Sequence, residues 1–286
     1  MRNEQLRTMV RGAYDIQKLR IQMGNRIVGN FKAKLGQAPS QPEEELDKEG
    51  KKILADLRIH FKKITDGVKV FPRQKTFKGD EVISSYTELC LLAQYVDLEK
   101  QEDTHFARLG GILNDYPIYT TFLEKVKGIG PAMAGVIVSE IDISKSRYPS
   151  SLWKYAGLDV AENGTGRSRK KEHLVRVQYL DKKGEQQERD SITFNPFLKT
   201  KLIGVLGASF LRAGEGPYSK IYYEYKHRLE SHEKYKDVIK GHRHNMAVRY
   251  MIKRFLADLY NAWRPLEGLS VVPDYHEAKL GHQHAA

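Results

Sequence analysis

The stretch that decides the fold is Phe122–Ile141, which reads FLEKVKGIGPAMAGVIVSEI. A short helix is predicted to end at Val126. Gly128 and Gly130 then permit backbone conformations and close approaches that a side chain would block. Pro131 suits the first turn of a new helix, because its missing N–H costs no hydrogen bond there. The sequence therefore predicts two helices joined by a glycine hairpin, the pattern called helix–hairpin–helix.

The start of the second predicted helix is a candidate phosphate site. Its first N–H groups have no partner within the helix and its dipole is positive at that end, so it attracts anions. Lys127 adds a positive charge beside Gly128 and Gly130. Contacts with backbone phosphates position a protein on DNA without reading its bases. The alternative is an ordinary turn between helices with a glycine cap.

The charge of the chain favours a polyanionic partner. Its 286 residues carry 48 Lys and Arg against 36 Asp and Glu, a formal net charge of +12. Such a surplus is typical of nucleic-acid-binding proteins, although a basic enzyme with a solvated surface would share it. The single cysteine, Cys90, excludes an internal disulfide framework and a multi-cysteine zinc site. We see no secretory signal and no membrane-spanning run, and expect a cytoplasmic protein that associates with the nucleoid in a bacterium or virus.

Residues 1–121 are predicted to form a helical, coiled-coil-like region. Apolar residues recur at three- and four-residue steps from about Asn3 to Leu35, which favours one long amphipathic helix. Arg20 interrupts this stripe, and Gly24 and Gly29 weaken the helix. We expect the long helix to mediate homo-oligomerisation.

Three further helices are predicted in this region. The second begins after Ser40 and runs to about Thr65. The third is capped by Asp80 and runs to about Lys100, and the fourth covers about Thr104–Leu113.

A basic loop, Asn163–Lys171, reads NGTGRSRKK. Its four cations can each neutralise a phosphate, although charge runs are often only solvated turns. Beyond it, Leu174–Leu180 and Gln187–Phe194 are predicted to pair as a β-hairpin through the turn Asp181–Gly184. The hairpin would serve as a dimer arm or as a ribbon for a DNA groove, and its residues do not decide between these.

The closing helix, within His242–Trp263, has a basic face that extends the expected nucleic-acid surface. His242 and His244 are two residues apart, which is the wrong spacing for two metal ligands on one helical face, so no metal site is predicted. Residues 266–286 are predicted to be an irregular tail. The predicted nucleic-acid-binding residues of the whole chain are Lys127, Gly128, Gly130, Arg167, Arg169, Lys170, Lys171, Arg243, Arg249 and Lys253.

Several motifs follow one another at the spacing of a known family. They are Gly128–Pro131, Ala134, Glu140, Tyr148-Pro149 and Leu152–Leu158, the last reading LWKYAGL. In these features the chain resembles the C-terminal transposase domain of the insertion-sequence transposases of the IS110 group. The resemblance covers about residues 122–263 and is strongest in Gly128–Leu158. It predicts a helical transposase-like domain at 122–265, with the β-hairpin as an insertion.

The resemblance also implies a chemistry. In that family this domain supplies a serine nucleophile, a RuvC-like N-terminal domain binds magnesium through four acidic residues, and a structured bridge RNA guides an oligomeric enzyme. Two departures matter. Residues 1–121 do not resemble the RuvC-like domain, and the family's Ser-Gly pair falls on Thr165-Gly166, with Ser168 as the nearest serine. A threonine nucleophile would need activation by a base or a metal.

Three functions therefore remain open. The first is a DNA-binding protein, with structured RNA as a further partner. The second is an active transposase or recombinase in which Thr165 or Ser168 attacks the phosphodiester, Arg167 and Arg169 stabilise its charge, and magnesium takes part. The third is an architectural or scaffold protein in which the same domain only packs.

Overall fold

The computed structural model describes residues 2–37 and 46–273. Its α-helices are α1 (Arg2–Lys34), α2 (Lys48–Thr65), α3 (Tyr86–Leu113), α4 (Pro117–Thr121), α5 (Pro131–Glu140), α6 (Pro149–Tyr155), α7 (Pro196–Thr200), α8 (Gly207–Arg212), α9 (Pro217–Ser231) and α10 (Lys240–Leu266). The strands are β1 (Val175–Leu180) and β2 (Gln186–Ser191). The predicted fold class, mainly α with an inserted β-hairpin, is confirmed. Within the described residues, no helix is both long and apolar enough to span a membrane.

The chain forms two compact units. One is Thr8–Leu109, and the other joins the residues from Gly110 onward with the start of α1 up to Arg7. The domain boundaries predicted after residues 121 and 265 follow the resemblance and stay predictions.

The unit Thr8–Leu109 packs α1, α2 and α3 around a shared core. The buried residues of this core are Ile27, Val28, Leu54, Leu57, Ile83, Leu89, Leu92 and Tyr95. Arg20 interrupts the apolar stripe of α1 because it pairs with the buried Glu102 of α3 and also donates to the Tyr95 hydroxyl. Gly24 allows α1 to lie close to α2 and α3, since a Cβ there would lie 3.2 Å from the Tyr95 ring and 3.3 Å from the Leu54 side chain.

The second and third helices of this unit do not begin at the residues that the sequence predicted. The start after Ser40 lies outside the described residues, and α2 begins at Lys48 with the Asp47 carboxylate accepting a hydrogen bond from the N–H of Gly50.

The predicted third and fourth helices are one helix, α3, so the prediction of a break and of an Asp80 cap was wrong. Asp80 instead accepts hydrogen bonds from the N–H groups of Val82 and Ile83 and forms a turn. The helix starts after Ser85, whose hydroxyl accepts from the N–H of Glu88 while the Glu88 carboxylate accepts from the N–H of Ser85. This reciprocal capping box is visible in the sequence as Ser-x-x-Glu.

The second unit is built around α5, α10 and a long helix at residues 196–212. In this long helix α7, the π-helical segment Lys201–Leu206 and α8 follow one another with continuous right-handed helical backbone. The buried rings of Phe210 and Tyr218 stack on each other, and both contact the Phe255 ring edge-on.

Glu140, one of the residues that carry the family resemblance, joins three elements of this unit. Its buried carboxylate accepts a hydrogen bond from Asn195 at 2.6 Å and pairs with Arg7 at 3.1 Å. The Asn195 side chain also caps α7 by accepting from the N–H of Leu198. Glu140 is therefore engaged in packing α5 against α7 and the start of α1.

The inserted hairpin is antiparallel, with Val175 opposite Ser191 and Leu180 opposite Gln186. The predicted turn is confirmed, because the Asp181 carboxylate accepts from the N–H groups of Lys183 and Glu185. Both strands are exposed along nearly their whole length.

Candidate nucleic-acid interface

Gly128 closes the glycine hairpin onto α8. Its φ of 99° lies in the left-handed region, and a Cβ would lie 3.1 Å from the Phe210 ring. The Ser209 hydroxyl donates to the Gly128 carbonyl at 2.7 Å. Packing against Phe210 and the left-handed backbone therefore explain the glycine at position 128. These contacts give Gly128 no direct role in binding.

Gly130 has a different environment. It is the N-cap of α5, it is exposed, and none of the described residues places a heavy atom within 4 Å of the position of a Cβ, apart from its own chain neighbours. The first N–H that bonds within the helix is that of Ala134, which donates to the Gly130 carbonyl. The amides of Ala132 and Met133 precede it and have no acceptor within the helix. Lys127, beside them, donates to the Glu215 carbonyl at 3.3 Å and stays exposed.

The basic loop is more ordered than its glycines suggest. It opens as a tight hairpin in which the N–H of Ala161 donates to the Thr165 carbonyl at 2.8 Å. The N–H of Arg167 returns to the Asp159 carbonyl at 3.1 Å. The Arg167 guanidinium then binds Oδ2 of Asp159 through Nε (3.0 Å) and Nη2 (2.9 Å). Arg167 thus already has a carboxylate partner.

The two candidate nucleophiles meet at one buried residue, His173, which is 3% exposed. Nδ1 of His173 lies 2.8 Å from Oγ of Ser168 and also accepts from the N–H of Ser168 at 3.0 Å. The Asn163 amide nitrogen lies 3.1 Å from Nε2, so a nitrogen that can only donate faces each ring nitrogen of His173. Nε2 lies 3.3 Å from Oγ1 of Thr165 and 3.6 Å from a carboxylate oxygen of Glu172.

Three half-buried cations, Lys199, Arg249 and Lys253, lie near Asp159 at the base of this loop. Lys199 of α7 donates to the Arg167 carbonyl, and Arg249 of α10 donates to the carbonyls of Gly157 (3.4 Å) and Asp159 (3.2 Å). Burial, together with the charge of Arg249, lowers the pKa of Lys199 to about 8.

The pKa values of the other two cations are lowered as well. Burial lowers the pKa of Arg249, and burial together with the charge of Arg249 lowers the pKa of Lys253. Lys253 also lies over the Trp153 ring, with Nζ 5.4 Å from its centre.

Gly166, the second member of the Thr-Gly pair, lies directly on this group. A Cβ at Gly166 would lie 3.0 Å from Cζ of Arg249. The loop backbone at Gly166 therefore lies against the Arg249 guanidinium. A side chain at this position would displace the guanidinium.

The remaining predicted residues divide into two sets. Arg169, Lys170 and Lys171 are exposed, with Lys170 3.9 Å from Glu172, and the charge of Arg169 lowers the pKa of Lys199 further. Arg243 is occupied elsewhere, because its Nη1 donates to three backbone carbonyls at residues 235, 236 and 238. The structure does not bring Arg243 into the group around Lys199.

Sequence reasoning missed His173, Lys199 and Asp159. Asp159 directly follows the Ala-Gly-Leu motif and Lys199 follows Asn195 at the start of α7, so both adjoin motifs that were recognised. His173 gave no periodic or spacing signal. For magnesium, no group of three His, Cys, Asp or Glu side chains in residues 2–37 and 46–273 is placed to hold a metal ion.

One comparison with known proteins gives a match. The sequence model of the transposase family IS116/IS110/IS902 matches residues 120–182. No curated protein and no solved structure matches the chain significantly. The matched segment contains both the glycine hairpin and the basic loop with His173. Residues 120–182 are therefore consistent with an IS110-like transposase domain, which confirms the resemblance and supports a role related to transposition and DNA recombination.

Proposed function

We propose that this chain binds the phosphate backbone of DNA and takes part in transposase-related recombination. The observation that carries the proposal is that one family match, residues 120–182, spans both basic features of the second unit, the hairpin at Lys127–Pro131 and the loop at Asn163–Lys171. The surplus of positive charge supports it, because phosphate contacts supply most of the sequence-independent affinity for DNA.

The hairpin contributes backbone donors. The N–H groups at the start of α5 face the exposed position of Gly130, where the absent side chain leaves room for a phosphate oxygen. Lys127 stands beside this position as a point charge.

The loop contributes side-chain donors. Arg169, Lys170 and Lys171 are exposed on it, while Arg167 holds the loop to Asp159. Each phosphate that such a cation neutralises on duplex DNA adds about −0.9 to the slope of log affinity against log salt.

A matched pair of substitutions tests the hairpin. Gly130→Asp adds a residue favoured at an N-cap, so α5 is retained, but it puts a negative charge where the phosphate would lie. Gly241→Asp is the control, since Gly241 is also exposed, lies in the first turn of α10 and has no atom within 4 Å of a Cβ. We expect Gly130→Asp to lower affinity for a labelled 30-base-pair duplex by about tenfold or more in fluorescence anisotropy, and Gly241→Asp to change it less than about twofold.

Salt titration of the unmodified protein decides the proposal as a whole. Binding that is negligible for duplex DNA, single-stranded DNA and RNA at low salt would refute it. Equal affinity in the two aspartate variants would remove the hairpin from the interface and leave the loop.

A second candidate function is strand cleavage, and one contact favours it. Oγ of Ser168 lies 2.8 Å from Nδ1 of His173, and Glu172 lies near the other imidazole nitrogen, an order typical of a nucleophile, its base and an orienting acid. The Ser168 hydroxyl would give its proton to Nδ1 while its oxygen bonds to phosphorus. The bond between phosphorus and a sugar oxygen of the strand would break, and the His173 imidazolium would return the proton to that oxygen.

This candidate has its own test. Ser168→Ala should abolish cleavage and covalent attachment to labelled DNA while leaving non-covalent affinity within about twofold. Thr165→Ala is the comparison, because Oγ1 of Thr165 donates to Asn163 at 2.7 Å and lies farther from the imidazole. Cleavage that survives in both variants would exclude both nucleophiles.

Two partner predictions accompany the proposal. Self-association is proposed through a surface other than the apolar stripe of α1, since Ile27 and Val28 of that stripe pack inside the unit Thr8–Leu109. Structured RNA is proposed as a further ligand of the same basic surface. Light scattering of the protein alone and with an RNA hairpin tests both.

A further inference from the structure

Lys199, Arg249 and Lys253 share one small region of the second unit. Arg249 and Lys253 are four residues apart on α10 and so lie on the same helical face. Lys199 comes from α7, and its stem lies 3.1 Å from the position of a Cβ at Gly157, whose carbonyl accepts from Arg249. Each cation is near enough to Asp159 for that charge to act on its pKa.

These cations have more hydrogen-bond donors than the fold uses. Lys199 has three N–H donors, and among the described residues it makes one hydrogen bond, to the Arg167 carbonyl, while its Nζ lies 4.6 Å from the centre of the Phe194 ring. Arg249 has five and uses one nitrogen, Nη2, on two carbonyls. Lys253 makes a contact with the Trp153 ring but no hydrogen bond within residues 2–37 and 46–273.

The negative charge that acts on all three cations comes from one carboxylate, Asp159. Its Oδ2 is taken by Arg167. Its buried Oδ1 accepts no hydrogen bond from any described residue. Half-buried cations that repel one another and have no carboxylate in direct contact cost free energy unless an anion joins them.

We propose that Lys199, Arg249 and Lys253 form a binding site for one phosphate group, with Gly166 allowing that group to approach the Arg249 guanidinium. The inference rests on the proposed function, which makes a nucleic-acid backbone the source of the phosphate. It deepens that function by placing a phosphate behind the loop, on residues from α7 and α10, in addition to the exposed cations on the loop itself.

The test measures affinity of the full chain for a labelled 30-base-pair duplex by fluorescence anisotropy. Lys199→Met and Lys253→Met each remove a charge and keep the apolar stem. Lys220→Met is the control, because Lys220 is exposed on α9 and lies 3.9 Å from Glu224. We expect each of the first two variants to bind about tenfold more weakly with a salt slope smaller by about 0.9, and the control to change less than about twofold.

A pH series separates a bound ammonium from a merely structural one. Wild-type affinity should fall between pH 7 and 9.5, because Lys199 faces Arg249, Arg169 and Asp159 and loses its proton in this range. Lys199→Arg should bind more tightly than Lys199→Met. Its affinity should not fall between pH 7 and 9.5, since arginine keeps its charge. Thermal melting followed by circular dichroism checks that each variant is folded. If Lys199→Met does not fold, the affinity of Lys253→Met tests the site independently.

A second arm uses inorganic phosphate against chloride at equal ionic strength. We expect phosphate to raise the melting temperature of the wild type more than that of Lys199→Met. Phosphate stabilisation without DNA binding would contradict the proposed function and support a site for free phosphate. DNA affinity of Lys199→Met and Lys253→Met equal to that of Lys220→Met, with no loss of phosphate stabilisation, would overturn the site while the proposed function stands.

Discussion

The glycine hairpin and the basic loop differ in the kind of hydrogen-bond donor that they would present to a phosphate in the proposed interface. The hairpin offers backbone N–H groups at the start of α5, fixed by the packing of Gly128 on Phe210. The loop region offers the side chains of Lys199, Arg249 and Lys253, held half-buried by the turn at Asp159. The first kind of donor cannot titrate, whereas the second includes a lysine whose pKa is lowered to about 8.

The glycines of these two features have different environments. Gly128 and Gly157 are needed for a left-handed backbone and a close contact with a ring. Gly130 has an ordinary backbone conformation and no neighbour, so packing does not explain it. Substitutions at these positions therefore separate support from binding.

The largest effect is expected at the base of the loop, for Gly157→Ala. Its φ is 64° and a Cβ would lie 2.7 Å from the Phe194 ring, so backbone strain and a clash add together. We expect a loss of about 3 kcal/mol in the free energy of unfolding. Urea unfolding followed by tryptophan fluorescence measures it, since Trp153 and Trp263 both lie in the second unit.

Gly164→Ala is the control for that prediction. Gly164 also has a positive φ, 76°, but no atom lies within 4 Å of a Cβ, so only strain of about 1 kcal/mol is expected. Equal losses in the two variants would show that the Phe194 contact does not support the loop.

His173→Ala is expected to cost about 2 kcal/mol, through the cavity it leaves and the loss of the acceptor for the Ser168 N–H. Hydrogen exchange should accelerate across Asn163–Lys171 and stay unchanged at Lys127–Pro131. His242→Ala, at an exposed histidine of α10, is the control. Exchange that rises equally in both segments would mean that the two regions open as one.

The two hairpin glycines should respond in opposite ways. Gly128→Ala is expected to lower the free energy of unfolding by about 1.5 kcal/mol, because of its φ of 99° and its contact with Phe210. Gly130→Ser should leave stability within about 0.5 kcal/mol, since serine is favoured at an N-cap, yet weaken DNA binding. A destabilised Gly130→Ser with full affinity would reverse the assignment.

The smallest effect concerns pH and Lys199. Its folded pKa, about 8, is below its ordinary value of 10.5, so the unfolded chain binds more protons between these values and stability rises with pH there. Relative to Lys199→Met, the wild type should gain on the order of 1 kcal/mol from pH 8 to 10.5, after discounting for solvent screening of a half-exposed group. Urea unfolding of both proteins at several pH values measures this difference. A constant difference would show that Lys199 is not perturbed.

Local sequence determined the elements of this protein. The apolar periodicity of α1, the Gly-Pro start of α5 and the Asp181–Gly184 turn each depend on neighbouring residues, and all three are present as predicted. The Ser85 capping box was equally local but was passed over in favour of Asp80. The family motifs of Gly128–Leu158, also local, lie within the segment 120–182 that the family model matches.

Only the tertiary structure decided which basic side chains form ion pairs with acids and which lie apart from them. Arg7, Arg20 and Arg167 read alike in the sequence as basic residues, yet each is paired with an acid, two of them with acids far along the chain, Glu140 and Glu102. Lys199 and Arg249 are 50 positions apart and meet only because α7 and α10 both pack beside Gly157. Pairing and desolvation depend on distances between side chains from different elements, and the order of residues along one chain does not contain those distances.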